Sequence, residues 1–324
     1  MTKFSKLQTL IKIANFYTRF APSFTRVGYV ARGLPLRRVR RDLAGQNWLV
    51  TGATGGIGRA AALLAAGRGA RVFALGRNEA ALAELAAAGE GLRGNIVPVR
   101  CNLDVIASIA KIAETWPGDA PLDVLVNNVG ILNREFSRTD EGFETTYATN
   151  LLGHYVLTEG LFRNARIAPG AAIINVVSGG LYNAPLNVDW IDMPAEAFNG
   201  FLAYAAHKRG QLALADHWRG RFASKSVRTY AVHPGWADTA GVKTSLPTFR
   251  KILAPILRNA REGADTIDWL AAERPAEVPD KVWFDRKPRS AHAYPHTRTA
   301  KVTLTAFVER LDRDFQRVCA GTST

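Results

Sequence analysis

The segment Asn47-Trp-Leu-Val-Thr-Gly-Ala-Thr-Gly-Gly-Ile-Gly58 carries the pattern on which the fold prediction rests. The apolar run Asn47–Val50 predicts a short strand, and the turn Thr51–Gly58 leads from it into the Ala/Leu-rich helical stretch Arg59–Arg68. Glycines at such a junction let a pyrophosphate approach the backbone N–H groups of the helix N-terminus. A tight turn that binds nothing is the alternative, but the position between strand and helix favours a phosphate site. We assign this site to Gly52, Thr54, Gly56, Ile57 and Gly58.

Beyond this turn, short runs rich in Val, Ile and Leu alternate with helical segments. The predicted strands are Arg71–Leu75, Ile96–Arg100, Val124–Asn127, Ala172–Val177, Val227–Val232 and Lys281–Phe284. The predicted helices are Glu79–Ala88, Asp104–Trp116, Phe143–Leu161, Leu202–Phe222 and Ala264–Ala271. Strands that alternate with helices in this way form βαβ units, and nearly continuous apolar strands indicate that both sheet faces are covered. The sequence therefore predicts an α/β fold with a doubly wound parallel sheet.

Composition sets limits on the class of protein. The chain has 324 residues, of which 47% are hydrophobic, which is enough for one large core over residues 45–324. Its two cysteines lie far apart, so they indicate neither a disulfide framework nor a metal site, and they fit a cytoplasmic location. No run approaches 18 consecutive apolar residues, so we expect no transmembrane helix.

Residues 1–44 form a distinct basic leader. They hold ten Lys or Arg residues against one acid, whereas the whole chain carries a net charge of +14. Within residues 1–20, apolar side chains follow helical spacing at Phe4, Leu7, Ile11 and Ala14. Three interpretations stay open: a helix on an anionic membrane surface, an organellar presequence, or a helix packed on the enzyme or a partner subunit. Because no nucleic-acid-binding motif accompanies the charge, we expect no nucleic acid partner.

The ends of the next strands predict which dinucleotide the chain binds. The second strand ends at Gly76-Arg77, where an NAD-binding protein would carry an acid for the ribose 2′-OH. Arg77 instead suits a 2′-phosphate, and Arg59 could supply a second cation, so we expect NADP(H) in preference to NAD(H). The third and fourth strands end in polar residues where open α/β sheets bind ligands, and we assign to the cofactor Asn102, Leu103, Asn128 and Gly130.

A Tyr and a Lys four residues apart provide the candidate catalytic pair. Tyr204 and Lys208 share one face of a predicted helix. A nearby ammonium is expected to lower the tyrosine pKa, so that the hydroxyl exchanges a proton with a carbonyl or alcohol oxygen. Ser178 follows the fifth strand and could hydrogen-bond the substrate oxygen, and Asn150 could hold a water beside Lys208. A surface helix pair is the alternative for Tyr204 and Lys208 alone, and His207 between them is interpreted as a bystander.

Taken jointly and in order, these motifs resemble the short-chain dehydrogenase/reductase family over about residues 45–290. The further motif that carries the resemblance is Pro234-Gly235 with Thr239. The resemblance implies a Rossmann-like sheet of about seven strands, hydride transfer at the nicotinamide, and dimers or tetramers. It implies a catalytic tetrad of Asn150, Ser178, Tyr204 and Lys208, with Lys208 also on the nicotinamide ribose, Asn102 near the adenine and the segment after Pro234 near the nicotinamide. Segments such as Ser178-Gly-Gly180 and Phe284-Asp-Arg-Lys-Pro288 are similar to the subgroup called dehydrogenase/reductase SDR family member 12.

Two apolar segments flank the predicted catalytic helix. They are residues 181–201 and 236–258, which include Trp236 and Phe249. Apolar loops beside a catalytic helix predict a pocket for a hydrophobic carbonyl or alcohol, although the same side chains could merely cover the core. Two competing functions remain: a non-enzymatic NADP(H)-binding sensor or scaffold, and a lipid reductase that contacts the membrane surface through residues 1–40.

Overall fold

An eight-stranded sheet lies at the centre of the protein, for which a computed structural model describes residues 15–321. The strands occur in the order β3-β2-β1-β4-β5-β6-β7-β8, and all pair in parallel except β8, which pairs antiparallel with β7. Their bounds are β1 Asn47–Thr51, β2 Arg71–Gly76, β3 Asn95–Arg100, β4 Leu122–Asn127, β5 Ile167–Val176, β6 Arg228–Val232, β7 Lys281–Phe284 and β8 Lys287–Ser290. The strand order reverses between β1 and β4, and such a reversal opens a ligand-binding crevice at the carboxyl ends of the strands.

Helices cover both faces of this sheet. Those up to the middle of the chain are α1 (residues 15–24), α2 Arg26–Ala31, α3 Gly56–Gly67, α4 Glu79–Ala88, α5 Ile106–Glu114, α6 Thr145–Tyr147 and α7 Gly153–Arg163. The remaining helices are α8 Gly200–Arg221, α9 Ala240–Ser245, α10 Pro247–Leu253, α11 Ala260–Glu273 and α12 Leu304–Gly321. A π-helical turn, Ala148–Leu152, joins α6 to α7. The α/β fold with a parallel sheet and helices on both faces is therefore confirmed.

The core has two main apolar layers, one on each face of the sheet, and a third, smaller cluster that includes Phe24, Leu181 and Phe284. Alternate strand residues explain this division, because Leu49 belongs to one layer whereas Trp48 and Val50 belong to the other. The first layer packs against α5, α7, α8 and α12, and the second packs against α3, α4 and α11. Near-continuous apolar strands are thus buried on both faces, as the sequence predicts.

The sheet has one strand more than the expected seven. Asp285 and Arg286 adopt left-handed φ angles of 50° and 59°, and this turn folds β8 back onto β7. Beyond it, α12 was not predicted, although its apolar side chains recur at helical spacing and pack into the core at Phe307 and Leu311.

The described part of the basic leader lies on the body of the protein. Arg258 and Asp285 form an ion pair in which each side chain is 1% exposed, and Arg32 of the leader also donates to Asp285 at 2.7 Å. This part of the leader therefore agrees with the interpretation of a segment packed on the enzyme. The predicted helical stripe from Phe4 to Ala14 lies outside the described residues. Within residues 15–321, no helix is both long and apolar enough to cross a membrane.

Candidate active site

The glycine-rich turn lies at the carboxyl end of β1, beside the crevice between β1 and β4. Gly52 and Gly56 have φ angles of 63° and 52°, which non-glycine residues rarely adopt. A Cβ atom on Gly58 would lie only 2.4 Å from the Gly52 carbonyl oxygen, so the first turn of α3 requires a glycine there. The predicted residues Gly52, Thr54, Gly56, Ile57 and Gly58 therefore form one backbone cradle at a helix N-terminus, which fits a pyrophosphate.

Polar side chains tie this turn to the end of β4. Thr51 Oγ1 accepts hydrogen bonds from the backbone N–H groups of Asn128 at 2.9 Å and Val129 at 3.1 Å. The Asn128 side chain in turn donates to the Thr51 carbonyl oxygen at 2.8 Å. Asn128 thus holds the two edges of the crevice together, which gives it a positioning role at the predicted cofactor site.

Two arginines are candidates for binding a phosphate near the position where an acid would select NAD: Arg77 directly after it and Arg59 at the start of α3. Gly76 is buried, and a Cβ there would lie 3.0 Å from Thr54 Cγ2, so any side chain at this position would require Thr54 to shift by a few tenths of an ångström. Arg77 is exposed, and no described acidic side chain forms an ion pair with it. Arg59 is partly exposed at the start of α3. The nearby carboxylate of Glu79 pairs with Arg100 at 2.8 Å, and Arg77 carries a further positive charge that fits a 2′-phosphate.

The segment after β3 borders a shallow cavity of about 280 Å³. Asn102 lines this cavity together with Asp104, Arg138 and Glu141. Leu103 is buried instead in the apolar layer against α5. Asn102 can therefore contact a ligand through its side chain, whereas the Leu103 side chain supports the loop from beneath.

The Pro-Gly turn after β6 meets the glycine-rich turn. Gly235 has a φ of 78°, and a Cβ there would lie 2.4 Å from Arg258 Nε, so the backbone passes very close to that buried guanidinium. Thr239 caps α9 by accepting from the Val242 N–H, and its Cγ2 lies 3.1 Å from the position of a Cβ on Gly56. Pro234, Gly235 and Thr239 are thus brought to the edge that carries the predicted phosphate cradle.

Tyr204 lies near the start of α8 and faces the loop that follows β5. Asn199 begins this helix by accepting the Leu202 N–H at 3.0 Å. Ser178 lies in the loop that follows β5. Its Oγ accepts the Gly180 N–H at 3.2 Å, and its side chain is also hydrogen-bonded with that of Tyr204. Burial raises the Tyr204 pKa, and the Ser178 hydrogen bond only partly offsets this effect. The Tyr204 pKa is therefore raised and not lowered as expected, because desolvation outweighs the Ser178 hydrogen bond.

Lys208 lies one helical turn further along α8 and is 3% exposed. Its Nζ donates to the Val176 carbonyl oxygen at 2.8 Å and to Gln211 Oε1 at 2.9 Å, and it lies 5.7 Å from the centre of the Tyr204 ring. A Cβ on Gly130 would lie 3.0 Å from the same ammonium. Burial lowers the Lys208 pKa to about 7. The lysine, the tyrosine and the end of β4 therefore meet at one point.

Asn150 lies in the π-helical turn, an irregularity often found at functional sites. Its side-chain amide forms a pair of 2.8 Å hydrogen bonds with the backbone of Ile131, which secures the loop after β4. That Asn150 holds a water beside Lys208 stays a prediction. Gln211 links the two residues directly, because its Nε2 donates to the Asn150 carbonyl oxygen at 2.7 Å while its Oε1 accepts from Lys208.

Gln211 and His154 are site residues that the sequence reasoning missed. Gln211 Nε2 lies 2.9 Å from His154 Nδ1, and His154 Nε2 lies 3.4 Å from Thr51 Oγ1. A buried polar chain thus runs from Lys208 to the glycine-rich turn. Burial lowers the His154 pKa to about 3, so this imidazole stays neutral. The available signal was a glutamine three residues after Lys208 on the same helix face.

The apolar segments near the site divide between core and surface. Leu181, Ile191 and Met193 are buried, as the core-covering alternative expects, whereas Phe201 and Ile252 are exposed. His207 is also buried, and its Nε2 lies 2.7 Å from the Ile191 carbonyl oxygen, which ties this loop to α8. Within residues 15–321, no group of His, Cys, Asp and Glu side chains could hold a metal ion.

A glycine-rich turn at the β1–β4 crevice, beside Ser178 after β5 and Tyr204 and Lys208 on α8, is the arrangement expected of a nicotinamide-dependent oxidoreductase. Comparison with known proteins agrees, because the model of the short chain dehydrogenase family matches residues 46–248. The chain therefore belongs to the short chain dehydrogenase family.

Relatives and a solved structure extend this result. Dehydrogenase/reductase SDR family member 12 of Bos taurus is 33% identical over 320 residues, which is 95% of this chain and 99% of that protein. Retinol dehydrogenase 12 of Homo sapiens is 30% identical over 80% of this chain and 82% of that protein. The structure of the angucycline C-6 ketoreductase LanV with bound NADP is similar with a TM-score of 0.57, at 26% identity over 72% of this chain and 91% of that chain.

Proposed function

We propose that the protein transfers hydride between NADP(H) and the carbonyl or alcohol carbon of a small hydrophobic substrate. The observation that carries this proposal is the meeting of Tyr204, Ser178 and Lys208 beside Gly130, at the edge of the sheet that carries the phosphate cradle. When bound, the cofactor supplies or accepts the hydride. The chain supplies the proton, the orientation and the exclusion of water.

Tyr204 is the proposed general acid and base. Because burial raises its pKa, the hydroxyl stays protonated at neutral pH, and this form donates a proton to a carbonyl oxygen. Ser178 shares a hydrogen bond with that hydroxyl and holds the same substrate oxygen.

Lys208 and Asn150 are proposed as the other members of the tetrad. Lys208 Nζ is held by the Val176 carbonyl oxygen and Gln211 Oε1, so it has a fixed position 5.7 Å from the centre of the Tyr204 ring. Asn150 keeps the loop after β4 in place and orders Gln211 through its carbonyl oxygen. These contacts support a lysine that stabilises the tyrosinate formed after proton donation.

The test is NADPH-dependent turnover of hydrophobic ketones and aldehydes by wild type, Tyr204→Phe and Tyr182→Phe. Tyr182 is a buried neighbour, so its variant loses the same hydroxyl outside the proposed centre. We expect Tyr204→Phe to lose at least a hundredfold in kcat, the lower bound for general acid–base catalysis, while Tyr182→Phe stays active. If Tyr204→Phe turns over as fast as wild type, the assignment is wrong. Tight NADPH binding without any turnover would favour the sensor or scaffold instead.

The proposed preference for NADP(H) rests on Arg77 and the missing acid at Gly76. Arg77→Asp should weaken NADPH binding far more than NADH binding, because it removes a cation and adds a charge that repels a phosphate. Arg93→Asp makes the same change at a surface ion pair with Asp42 and serves as the control. An unchanged ratio of NADPH to NADH affinity in Arg77→Asp would refute the 2′-phosphate site.

A second candidate function, reduction of lipid carbonyls at a membrane surface, is favoured by an apolar patch in the leader. Leu36 is 89% exposed, and Val27 and Val30 are 55% and 51% exposed. Exposed arginines follow at Arg37 and Arg38, and such a combination suits an anionic bilayer surface. Co-sedimentation with phosphatidylserine vesicles should fall in the double variant Leu36→Asp/Arg38→Glu, and equal sedimentation would exclude this patch.

We further propose a cytoplasmic homo-oligomer. Cys101 is buried as a free thiol, which fits a reducing compartment. Light scattering after gel filtration should give the mass of a dimer or tetramer of the 35.3 kDa chain, and a monomer mass at micromolar concentration would refute this proposal.

A further inference from the structure

Aromatic side chains of the leader pack against the loops that flank the proposed reaction centre. We call this group the leader aromatic cluster. Its members from the leader are Phe16, Tyr17, Phe20 and Phe24, and its members from the body are Tyr182, Trp236 and Phe249. Tyr17 joins both parts of the second apolar segment, because its ring centre lies 5.6 Å from that of Trp236 and 5.7 Å from that of Phe249.

The cluster begins one residue away from Ser178. A Cβ on Gly179 would lie 3.6 Å from ring carbons of both Phe16 and Phe24. A Cβ on the next residue, Gly180, would lie 3.1 Å from a Tyr204 ring carbon. The leader and the proposed acid thus contact the same glycine pair, and neither glycine carries a side chain that would separate them.

Backbone hydrogen bonds hold the leader in this position. The Phe24 carbonyl oxygen accepts the Trp236 N–H at 2.8 Å and Arg258 Nε at 3.0 Å. The other end of the Arg258 guanidinium pairs with Asp285, to which Arg32 of the leader also donates. Trp236 follows Pro234-Gly235 directly, so the leader is fastened to the segment that borders the proposed nicotinamide site.

The outer members of the cluster keep apolar surface uncovered. Phe24 is buried, whereas Phe16, Tyr17, Trp236 and Phe249 are each only partly buried. Partly exposed aromatic faces beside a reaction centre favour a flat apolar ligand, because ring faces stack on one another in offset or edge-to-face geometry.

We propose that residues 16–24 form a wall of the substrate site and that this wall selects flat, multi-ring ketones over small ones. The proposal rests on the proposed oxidoreductase function and adds to it a substrate class and the residues that select it. In this arrangement a fused-ring ketone places its carbonyl at Ser178 and Tyr204 and its far ring against Phe16 and Tyr17. A single-ring ketone reaches the reaction centre without touching the wall.

The test compares one-, two- and three-ring aryl ketones in the full chain with NADPH. The wall variants are Phe16→Leu and the double variant Phe16→Leu/Tyr17→Leu, which keep apolar side chains so that the leader stays docked. Val27→Leu, at an exposed leader position, is the matched control. We expect kcat/KM for the three-ring ketone to fall about tenfold in the double variant, while the one-ring ketone and the KM for NADPH stay unchanged. Equal losses for all ring sizes, or no loss for any, would overturn the wall.

Calorimetric titration of the same ketones into the NADP⁺-bound chain separates this proposal from the proposed function. If wild type turns over no ketone yet binds the three-ring ketone more tightly than the double variant does, the wall holds and the proposed function fails. If Tyr204 proves essential for turnover but wild type and double variant bind the three-ring ketone equally, the wall fails alone. Binding of no ketone by either form also overturns it.

Discussion

The buried Lys208 ammonium should make the stability of this protein depend on pH in a predictable direction. Its pKa falls from 10.5 to about 7 because burial removes the charge from water. Between these values the unfolded chain holds a proton that the folded chain releases, so stability rises with pH. Below pH 7 both the folded and the unfolded chain carry the proton, so the full free-energy cost of burying the charge lowers stability. Above pH 10.5 neither state carries the proton, so this cost is absent.

The size of the effect follows from the same shift. Each pH unit in this window corresponds to about 1.4 kcal/mol, so the contribution of Lys208 should rise by about 2 kcal/mol between pH 7 and pH 9. Lys208→Met removes the titration. It also leaves the Val176 oxygen and Gln211 Oε1 without their donor, but that loss is independent of pH and cancels when two pH values are compared.

The assay is urea unfolding of wild type and Lys208→Met at pH 7, 8 and 9. The free energy of unfolding of wild type minus that of the variant should increase by about 2 kcal/mol across the series. Lys111→Met, at an exposed position on α5, is the control and should give a constant difference. A constant difference for Lys208→Met as well would show that the ammonium is not desolvated, and the reasoning would be refuted.

Three further changes should separate the site from its scaffold. Gly58→Ala should abolish NADPH binding in a fluorescence titration, because its Cβ would lie 2.4 Å from a carbonyl oxygen. The control Gly67→Ala should bind NADPH normally, because its Cβ meets no atom within 4 Å. Gln211→Leu should lower the free energy of unfolding by about 1–3 kcal/mol and reduce kcat, because a buried ammonium loses an acceptor. Arg258→Met should destabilise by about 3 kcal/mol in urea unfolding, since it leaves the buried Asp285 carboxylate with Arg32 as its remaining cation. Loss of the more exposed pair in Arg250→Met should cost under about 1 kcal/mol.

Local chemistry explains why the cofactor edge could be predicted from sequence. The turn Thr51–Gly58 needs glycines at fixed positions because the backbone itself forms the cradle. The four-residue spacing of Tyr204 and Lys208 directly determines that they share a helix face. Structural features that depend on such short-range geometry can therefore be predicted from the local sequence.

Features that depend on distant partners leave a weaker pattern. Strand β8 reads Lys-Pro-Arg-Ser, which lacks apolar alternation, and it forms because Asp285 and Arg286 reverse the chain. Gln211 gains its place only because folding brings the Asn150 carbonyl oxygen beside Lys208. The leader could be identified as amphipathic, but its contact with Trp236 spans more than 200 residues and has no local signature.

The ion pair between Arg32 and Asp285 has a consequence for how the protein is made. Its two residues are 253 positions apart, so a ribosome that adds 5–20 residues per second finishes the partner about 13–50 s after the leader emerges. For most of that interval the aromatic side chains of the leader also lack their partners, because Tyr182, Trp236 and Phe249 lie more than 150 residues after them. The leader is made long before its partners and is thus among the last segments to reach its native place. A chaperone that shields apolar segments would act here while those partners are still being synthesised.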